Sequence, residues 1–250
     1  MRLSFETDKG LAGRAALGLI VLQADETVEP EFRRLLDLEG VALYHGRVPS
    51  GTEVTPETLA AMEAAIPDAV RLLPPSAELD VVGYACTSGA TVIGEAEVEA
   101  AIRGVRPGVA TSNPLTAVKA ACAALGVRRL GFVTPYIAEV SAAMRGKLEA
   151  AGLEIAAFGS FEQSEEALVA RITPASVLEA ILEVGAAQAC EAVFASCTNL
   201  RATSAIPEAE ARLGKPVLTS NQALAWHMLR LAGVAEPMPD RGALFLRALT

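Results

Sequence analysis

Hydrophobic positions along this chain form short runs that alternate with longer segments of helical periodicity. Eight apolar runs of strand length predict β-strands, at residues 17–22, 41–44, 81–84, 109–111, 130–134, 155–158, 192–195 and 217–219. Between most of them apolar residues recur at intervals of three and four, which predicts helices at residues 29–38, 56–65, 114–125, 140–151, 175–185, 204–213 and 223–231. This alternation is typical of βαβ units and parallel sheets.

Two of the predicted strands run into nearly the same sequence. Residues 81–88 read V-V-G-Y-A-C-T-S and residues 192–199 read A-V-F-A-S-C-T-N. A second pair of similar segments follows at a similar interval, T-S-N-P from Thr111 and T-S-N-Q from Thr219. The repeat of both motif and interval indicates a duplicated half-domain, with one cysteine at the matching position of each copy.

The repeat also predicts the fold class. We expect an α/β protein with two pseudo-symmetric halves, each a four-stranded parallel sheet flanked by helices. The second pair of segments closes each set of four strands, which predicts one half from residues 1–112 plus 220–250 and the other from 113–219. Ligands bind beyond the carboxyl ends of parallel strands, so the active site is expected in the interdomain cleft.

Composition and charge exclude several classes of function. The formal net charge of -9 leaves no basic stripe for nucleic acid, although backbone N–H groups can still hold a small carboxylate substrate. No run approaches the roughly 20 apolar residues that span a bilayer, and the N-terminus lacks a signal-peptide core, so we expect no membrane partner and a cytoplasmic location. The four cysteines form no C-x-x-C pair and the two histidines are isolated, which predicts no metal.

Cys86 and Cys197 are the candidate catalytic residues. A thiol between a strand end and the first N–H groups of the next helix is in a setting that lowers its pKa and favours the thiolate. Two equivalent thiols facing one cavity suit chemistry on the two faces of one carbon. The alternative is a small buried hydrophobe, the interpretation that we favour for Cys122 and Cys190, which lack the motif.

Polar residues follow both thiols directly. Their hydroxyl, amide and N–H groups are candidates to bind a substrate carboxylate and to stabilise a developing enolate-like charge, and they are Thr87, Ser88, Thr198 and Asn199. The alternative, that they cap helices and close turns, is compatible with this role. Asn113 and Asn221 are open to the same two interpretations.

Two further residues lie near strand ends. Tyr136, expected just past a strand, is a candidate hydrogen-bond donor to a substrate oxygen, and the alternative is an aromatic at the domain interface. Asp25 ends the first strand, where it either binds substrate or caps the helix that follows.

Together these motifs resemble a known group. The segments T-V-E-P-E-F, A-C-T-S-G, T-P-Y and S-C-T-N-L-R are similar to those of the aspartate/glutamate racemase superfamily, in its maleate cis-trans isomerase and ectoine-utilisation branch. The resemblance covers nearly the whole chain. It implies two four-stranded halves, no cofactor and a cysteine pair across the cleft. Arylmalonate decarboxylases, relatives of the same fold, keep only the second cysteine, so the presence of both favours isomerisation or racemisation.

Two departures from the maleate isomerase pattern concern the substrate. Those enzymes carry S-N-T-T before V-E-P-E, their Asn binding a carboxylate, where this chain has Asp25 in A-D-E-T. A second Asn of the family, in D-N-L-E-V-A-R, is replaced by Glu166 here. An acid facing a dicarboxylate is repulsive by roughly a few kcal/mol. The ectoine-utilisation group, whose proposed substrates carry a carboxylate and a delocalised cation, resembles this chain better around residues 19–22 and 25–27.

The sequence therefore favours a cofactor-independent racemase or isomerase of a small carboxylate, ectoine-derived or amino-acid-like. Cys86 and Cys197 would form its acid-base pair. Asp25, Tyr136 and Glu166 would be among the binding residues. In a maleate isomerase, Cys86 would instead add to the double bond. Two more functions are compatible with the motifs, those of an arylmalonate-type decarboxylase and of a ligand-binding homologue without turnover. The helical outer surface is compatible with a homodimer.

Overall fold

The apolar runs form two four-stranded parallel sheets. The computed structural model describes residues 1–8 and 10–249. Its strands are β1 (Ala15–Leu22), β2 (Val41–Val48), β3 (Val81–Ala85), β4 (Ala110–Ser112), β5 (Arg129–Tyr136), β6 (Glu154–Gln163), β7 (Ala192–Ala195) and β8 (Val217–Thr219). The sheet orders are β2-β1-β3-β4 and β6-β5-β7-β8, the same order within each half. The predicted fold class is confirmed.

Helices separate most of the strands and flank both sheets. They are α1 (Val28–Leu35), α2 (Pro56–Ala60), α3 (Ile66–Arg71), α4 (Thr87–Ile93), α5 (Glu95–Arg103), α6 (Pro114–Leu125), α7 (Ala138–Ala150), α8 (Glu166–Val169), α9 (Pro174–Gly185), α10 (Ile206–Leu213) and α11 (Ser220–Leu231). Short 3₁₀ turns occur at Gly10–Ala12, Glu63–Ala65, Thr203–Ala205, Pro239–Arg241 and Ala243–Leu246. In the described residues no helix is long and apolar enough to cross a membrane.

The structure corrects two parts of the predicted helix pattern. The segment 56–65 is not one helix: α2 ends at Ala60, and α3 begins at Ile66 with Pro67 in its first turn. Proline lacks an N–H group and its ring clashes with the preceding turn, so it starts a helix but does not continue one. Helices α4, α5 and α8 are absent from the predicted pattern, and α4 begins with small polar residues that look like a turn.

Two of the four edge strands, β2 and β6, are longer than their apolar runs. β2 extends to Val48 and β6 to Gln163, and both contain exposed or half-buried positions. An edge strand is less covered than the central strands, so polar residues interrupt its hydrophobic pattern. β5 also extends to Tyr136, so this tyrosine is the last residue of the strand and does not follow it.

Contacts between the halves occur at the carboxyl ends of the strands. Helix α11 packs on β3 and β4 of the first sheet and pairs with α6. A segment that we call the strap, residues 52–54, pairs with residues 164–166: Val54 N–H donates to the Ser164 carbonyl (2.8 Å) and Glu166 N–H to the Thr52 carbonyl (3.0 Å). The division of the chain near residues 112 and 220 stays a prediction.

Candidate active site

Cys86 occupies the turn between β3 and α4, where it is the N-cap of the helix. The backbone N–H of Gly89 donates to its sulfur at 3.1 Å, and the Ser88 hydroxyl lies 3.6 Å from it. A Cβ at position 89 would stand 2.9 Å from that sulfur and 2.6 Å from the Tyr84 hydroxyl. Glycine is therefore required for the thiol to lie this close to the helix backbone.

Cys197 occupies the matching turn after β7, in a strained conformation. Its φ of 109° lies in a region that residues with a side chain rarely adopt, at a cost of roughly 1–3 kcal/mol. The turn is held by its own N–H, which donates to the Ser220 hydroxyl (2.9 Å), and by the Thr198 hydroxyl, which donates to the Ala85 carbonyl (3.3 Å). The Tyr136 hydroxyl and the Asn199 N–H lie near the thiol and lower its pKa.

Hydrogen bonds to the hydroxyl of Ser220 connect the two cysteine turns. The Ser220 hydroxyl shares a 2.8 Å hydrogen bond with Thr87 while it accepts the N–H of Cys197. Tyr136 lies near both thiols: burial raises its pKa, and the charge of either thiolate would raise it further. The structure thus brings both cysteines of the repeat, the residues that follow them and Tyr136 into one site.

The thiol pKa values are the opposite of the sequence expectation. Burial raises the pKa of Cys86 to about 12 and that of Cys197 well above its ordinary value. The negative charges of Glu166 and Asp25 raise both further, and the hydrogen bonds to the sulfurs oppose this shift without offsetting it. The prediction of lowered thiol pKa values is wrong, because desolvation outweighs the N–H groups at the helix start.

Asp25 caps helix α1 with one carboxylate oxygen and leaves the other unpaired among the described residues. Its Oδ1 accepts the N–H groups of Thr27 (2.8 Å) and Val28 (2.7 Å) at the start of α1. Its Oδ2 is buried and has no hydrogen-bond partner among the described residues, since the nearby Thr198 hydroxyl donates to Ala85. Burial raises the pKa of Asp25, and the free oxygen is available to a ligand.

Glu166 and Asn199 form a buried pair. Glu166 Oε2 accepts Asn199 Nδ2 at 2.8 Å, and Asn199 Oδ1 accepts the N–H of Glu26 at 2.9 Å. Burial raises the pKa of Glu166, and the charge of Asp25 adds to this effect. The Asn199 amide is therefore engaged within the protein, which leaves its backbone N–H as the group that acts on Cys197.

The sequence interpretation missed one buried acid, Glu31. Its side chain lies on α1 beside Phe32, between Val28 and Leu35, on the buried face of the helix. Burial raises its pKa to about 7, and the charge of Asp25 contributes. A carboxyl group within the apolar stripe of an amphipathic helix was the signal that could have revealed it.

The two remaining asparagines and the two other cysteines differ in their distance from the site. Asn113 caps α6, its Oδ1 accepting the Thr116 N–H at 3.0 Å, whereas Asn221 is buried in the hydrogen-bond network near Cys197. Cys122 packs in the core on α6, and Cys190 makes only a weak 3.7 Å contact to the Val184 carbonyl.

The site is enclosed and contains two acidic side chains, of which Asp25 also experiences the charge of the partly exposed Arg47. Cys86, Cys197, Tyr136, Asp25 and Glu166 are each at most 7% exposed, and the strap pairs with the segment that leads into Glu166. In the described part of the chain no buried cation pairs with these acids. Two basic side chains there are buried but bond elsewhere. Arg230 donates to carbonyls of the C-terminal segment, and His227 shares a hydrogen bond with a serine.

The chain is similar to proteins of known activity. Residues 53–245 match the family model described as arylmalonate decarboxylase. The arylmalonate decarboxylase of Bordetella bronchiseptica is 30% identical over 239 residues, 94% of this chain and 98% of that protein. The maleate isomerase of Nocardia farcinica is 28% identical over 241 residues, 93% and 96% of the two chains. A solved structure of a cysteine-to-serine mutant of the Nocardia farcinica maleate cis-trans isomerase, with a covalently bound succinylcysteine intermediate, superposes with a TM-score of 0.85 at 26% identity, covering 92% and 98%.

Proposed function

This chain belongs to the arylmalonate decarboxylase family, and from that premise we propose that it is a cofactor-independent racemase or isomerase of a small carboxylate. The family includes both isomerases and decarboxylases. The observation that carries the proposal is the link between the two cysteine turns, in which Ser220 hydrogen-bonds both Thr87 and the N–H of Cys197. That link supports a site in which both thiols act on one substrate.

In the proposed reaction, Cys86 and Cys197 form an acid-base pair. One thiolate removes the proton from the carbon next to the substrate carboxylate, so that the C–H electron pair moves into an enolate-like system and an S–H bond forms. The opposite thiol then donates its proton to the other face of the carbon, and the roles reverse with the direction of reaction. The hydroxyls of Thr87 and Ser88 would stabilise the developing charge.

The charge of the site favours a substrate that also carries a cation. The free oxygen of Asp25 and the carboxyl of Glu166 are buried and form no salt bridge among the described residues, although the charge of the partly exposed Arg47 acts on Asp25. With an effective dielectric constant of about 20, unit charges about 5 Å apart interact by about 3 kcal/mol. A cationic group on the substrate would gain this energy and would lower the thiol pKa values toward the range that the reaction needs. An ectoine-derived or amino-acid-like compound has both charges.

Maleate isomerisation is the second candidate. It is favoured by the relatives named maleate isomerase and by the neighbour that carries a covalent succinylcysteine. In that reaction the Cys86 thiolate would bond to one carbon of the double bond and the π electrons would move toward a carboxylate. Rotation about the new single bond and loss of the thiolate would complete the isomerisation. The two acids of the site oppose it, because a dicarboxylate brings two further negative charges.

Decarboxylation is the third candidate, favoured by the family model and by the relative named arylmalonate decarboxylase. In that reaction a carbon–carboxylate bond breaks with release of CO₂, and one thiol protonates the resulting carbanion. A single acid suffices for this step, so the second thiol of the pair would have no assigned role. The presence of both cysteine turns in one site therefore favours proton transfer on two faces.

One experiment separates the three reactions. The purified protein is incubated in D₂O without added cofactor, separately with ectoine, aspartate, maleate and phenylmalonate, and followed by proton NMR. We expect exchange of the α-proton for deuterium with the ectoine-derived or amino acid substrates. Conversion of maleate to fumarate would favour the second candidate, and conversion of phenylmalonate to phenylacetate the third.

Cysteine variants test the residue assignment in the same assay. Cys86→Ser and Cys197→Ser should each lower the exchange rate at least about a hundredfold, the scale expected for a lost general acid or base. Cys122→Ser and Cys190→Ser are matched controls and should have mild effects. Equal losses in all four variants would show that the repeated motif does not mark the catalytic pair.

A further inference from the structure

The buried carboxyl of Glu31 has no role in the proposed acid-base chemistry, yet it connects elements of both halves. It lies on α1, next to the first sheet, and is 6% exposed. Its Oε1 accepts the N–H of Thr203 at 3.1 Å, and its Oε2 accepts Asn221 Nδ2 at 2.7 Å. Both partners lie in segments that follow the strands of the second sheet.

Asn221 carries this connection to the Cys197 turn. Its Nδ2 donates to the Thr198 carbonyl at 2.8 Å in addition to Glu31, and the neighbouring Ser220 accepts the N–H of Cys197. The first turn of α11 therefore holds both the N–H of Cys197 and the carbonyl of the next residue, Thr198. A residue at φ 109° keeps that conformation only when its surroundings fix it.

We propose that Glu31 is a positioning residue for Cys197: through Asn221 and Thr203 it fixes the strained turn that holds the thiol opposite the Cys86 turn. The proposal rests on the proposed function only in that Cys197 is taken as catalytic. The geometric part, the control of the Cys197 turn by a carboxylate on α1, is independent of the reaction.

The chemistry of the partners explains why an acid stands at this position. Thr203 N–H and Asn221 Nδ2 are both donors, so the side chain at position 31 must offer two acceptors. A carboxylate does so, whereas glutamine offers one acceptor and one donor and leaves one partner unsatisfied. A carboxyl group occupies this position although burial and the negative charge of Asp25 both raise its pKa.

The test compares Glu31→Gln with Glu210→Gln in the full chain. Glu210 is a matched control because it also accepts two hydrogen bonds, here from the backbone N–H groups of Val217 (3.0 Å) and Ala243 (3.0 Å), and among the described residues it has no hydrogen bond to the Cys197 turn. Iodoacetamide alkylation of the folded protein is followed for each cysteine by peptide mass spectrometry. This measurement needs no substrate, so it remains decisive even if the proposed reaction is not found.

We expect Glu31→Gln to speed alkylation of Cys197 about tenfold, while Cys86 changes by less than about twofold, because only the Cys197 turn is released. Glu210→Gln should leave the ratio of the two rates unchanged. Equal acceleration of both cysteines, or no change at Cys197, would overturn the proposal. Where a substrate is established, kcat should fall and KM change little, since the Cys197 thiol is displaced relative to the reacting carbon.

A double variant separates positioning from simple stability. In Glu31→Gln/Asn221→Asp the glutamine amide donates to the new carboxylate and its oxygen accepts the Thr203 N–H, but the Thr198 carbonyl loses its donor. We expect the melting temperature to recover by more than half while Cys197 stays reactive. Return of Cys197 to the original rate would show that the hydrogen bond from Asn221 to Thr198 does not fix the turn, which would overturn the proposed link from Glu31 to Cys197. The double variant gives the same answer if Glu31→Gln alone does not fold.

Discussion

Replacing Asp25 by Asn removes a negative charge from the site and keeps the helix cap. The Asp25 oxygen that accepts the N–H groups of Thr27 and Val28, at 2.8 and 2.7 Å, becomes the amide oxygen and still accepts them. The other oxygen has no hydrogen-bond partner and becomes the amide NH₂, which faces the site. The substitution therefore removes the charge and turns the unpaired acceptor into a donor, while the helix cap is kept.

The expected effect on binding follows from Coulomb's law. One unit charge at about 5 Å in a medium of dielectric constant about 20 contributes about 3 kcal/mol, which corresponds to roughly a hundredfold in affinity. A ligand with a cationic group should bind Asp25→Asn about a hundredfold more weakly. A dicarboxylate such as maleate should bind it more tightly by a similar factor.

The same substitution should stabilise the fold at neutral pH. Burial raises the pKa of Asp25, so the folded protein holds the proton more tightly than the unfolded chain. Such a group destabilises the fold increasingly as pH rises above its ordinary value of 3.8, and Asn removes this penalty. The melting temperature of Asp25→Asn should exceed that of the unmodified protein at about pH 8 and differ less at about pH 5.

Calorimetric titration with ectoine, hydroxyectoine, aspartate and maleate measures the binding effect. Asp80→Asn is the matched control, since Asp80 also accepts a backbone N–H, that of Ala16 (2.8 Å), but precedes β3 at the opposite end of the sheet. Tight binding of maleate by the unmodified protein, unchanged in Asp25→Asn, would refute the charge argument. Asp25 would then be a helix cap only, and maleate isomerisation would take first place.

Three further predictions concern the thiols and Glu31. Gly89→Ala should lower α-proton exchange at least about tenfold, because the added Cβ displaces the Cys86 sulfur. The control is Gly146→Ala, at an exposed helix position with open space around it. It should leave exchange unchanged and raise the free energy of unfolding by up to about 1 kcal/mol. Because the pKa of Glu31 is raised from 4.5 to about 7, the unmodified protein should lose up to about 3 kcal/mol of unfolding free energy relative to Glu31→Gln as the pH rises from 4.5 to 7. Urea unfolding at each pH measures this difference. An unfolding free-energy difference between the two proteins that does not change with pH would contradict the prediction. A crystal structure should place the Cys86 and Cys197 sulfurs about 7 to 10 Å apart across one cleft, since the reacting carbon must lie within reach of both, and a sulfur pointing away from the other would end the two-thiol mechanism.

Local sequence patterns determined the fold class. Each of the eight predicted strands is present, because a buried parallel strand needs a continuous apolar run, and such a run is visible without knowledge of its neighbours. The repeated cysteine motif indicated two equivalent halves, which the identical sheet orders confirm. The resemblance to the superfamily is likewise confirmed by the family model and the relatives.

The sequence was less informative where solvent exposure or proline decides the structure. The edge strands β2 and β6 are longer than their apolar runs, since their partly exposed positions tolerate polar residues. The break between α2 and α3 depends on Pro67, which the three-and-four spacing of apolar residues does not reveal. Small polar residues hid α4, whose first turn is buried against the opposite half.

Only the tertiary structure decided the electrostatics of the site. Cys86 begins a helix, as its motif indicates, but its pKa is raised because the opposite half excludes water and brings Glu166 near. Asn113 and Asn221 occupy matching positions of the repeat, yet one caps a helix and the other bridges Glu31 and Thr198. Burial and hydrogen-bond partners depend on which segments come into contact across the two halves. The segments in contact are far apart along the chain, so no local sequence pattern predicts these contacts.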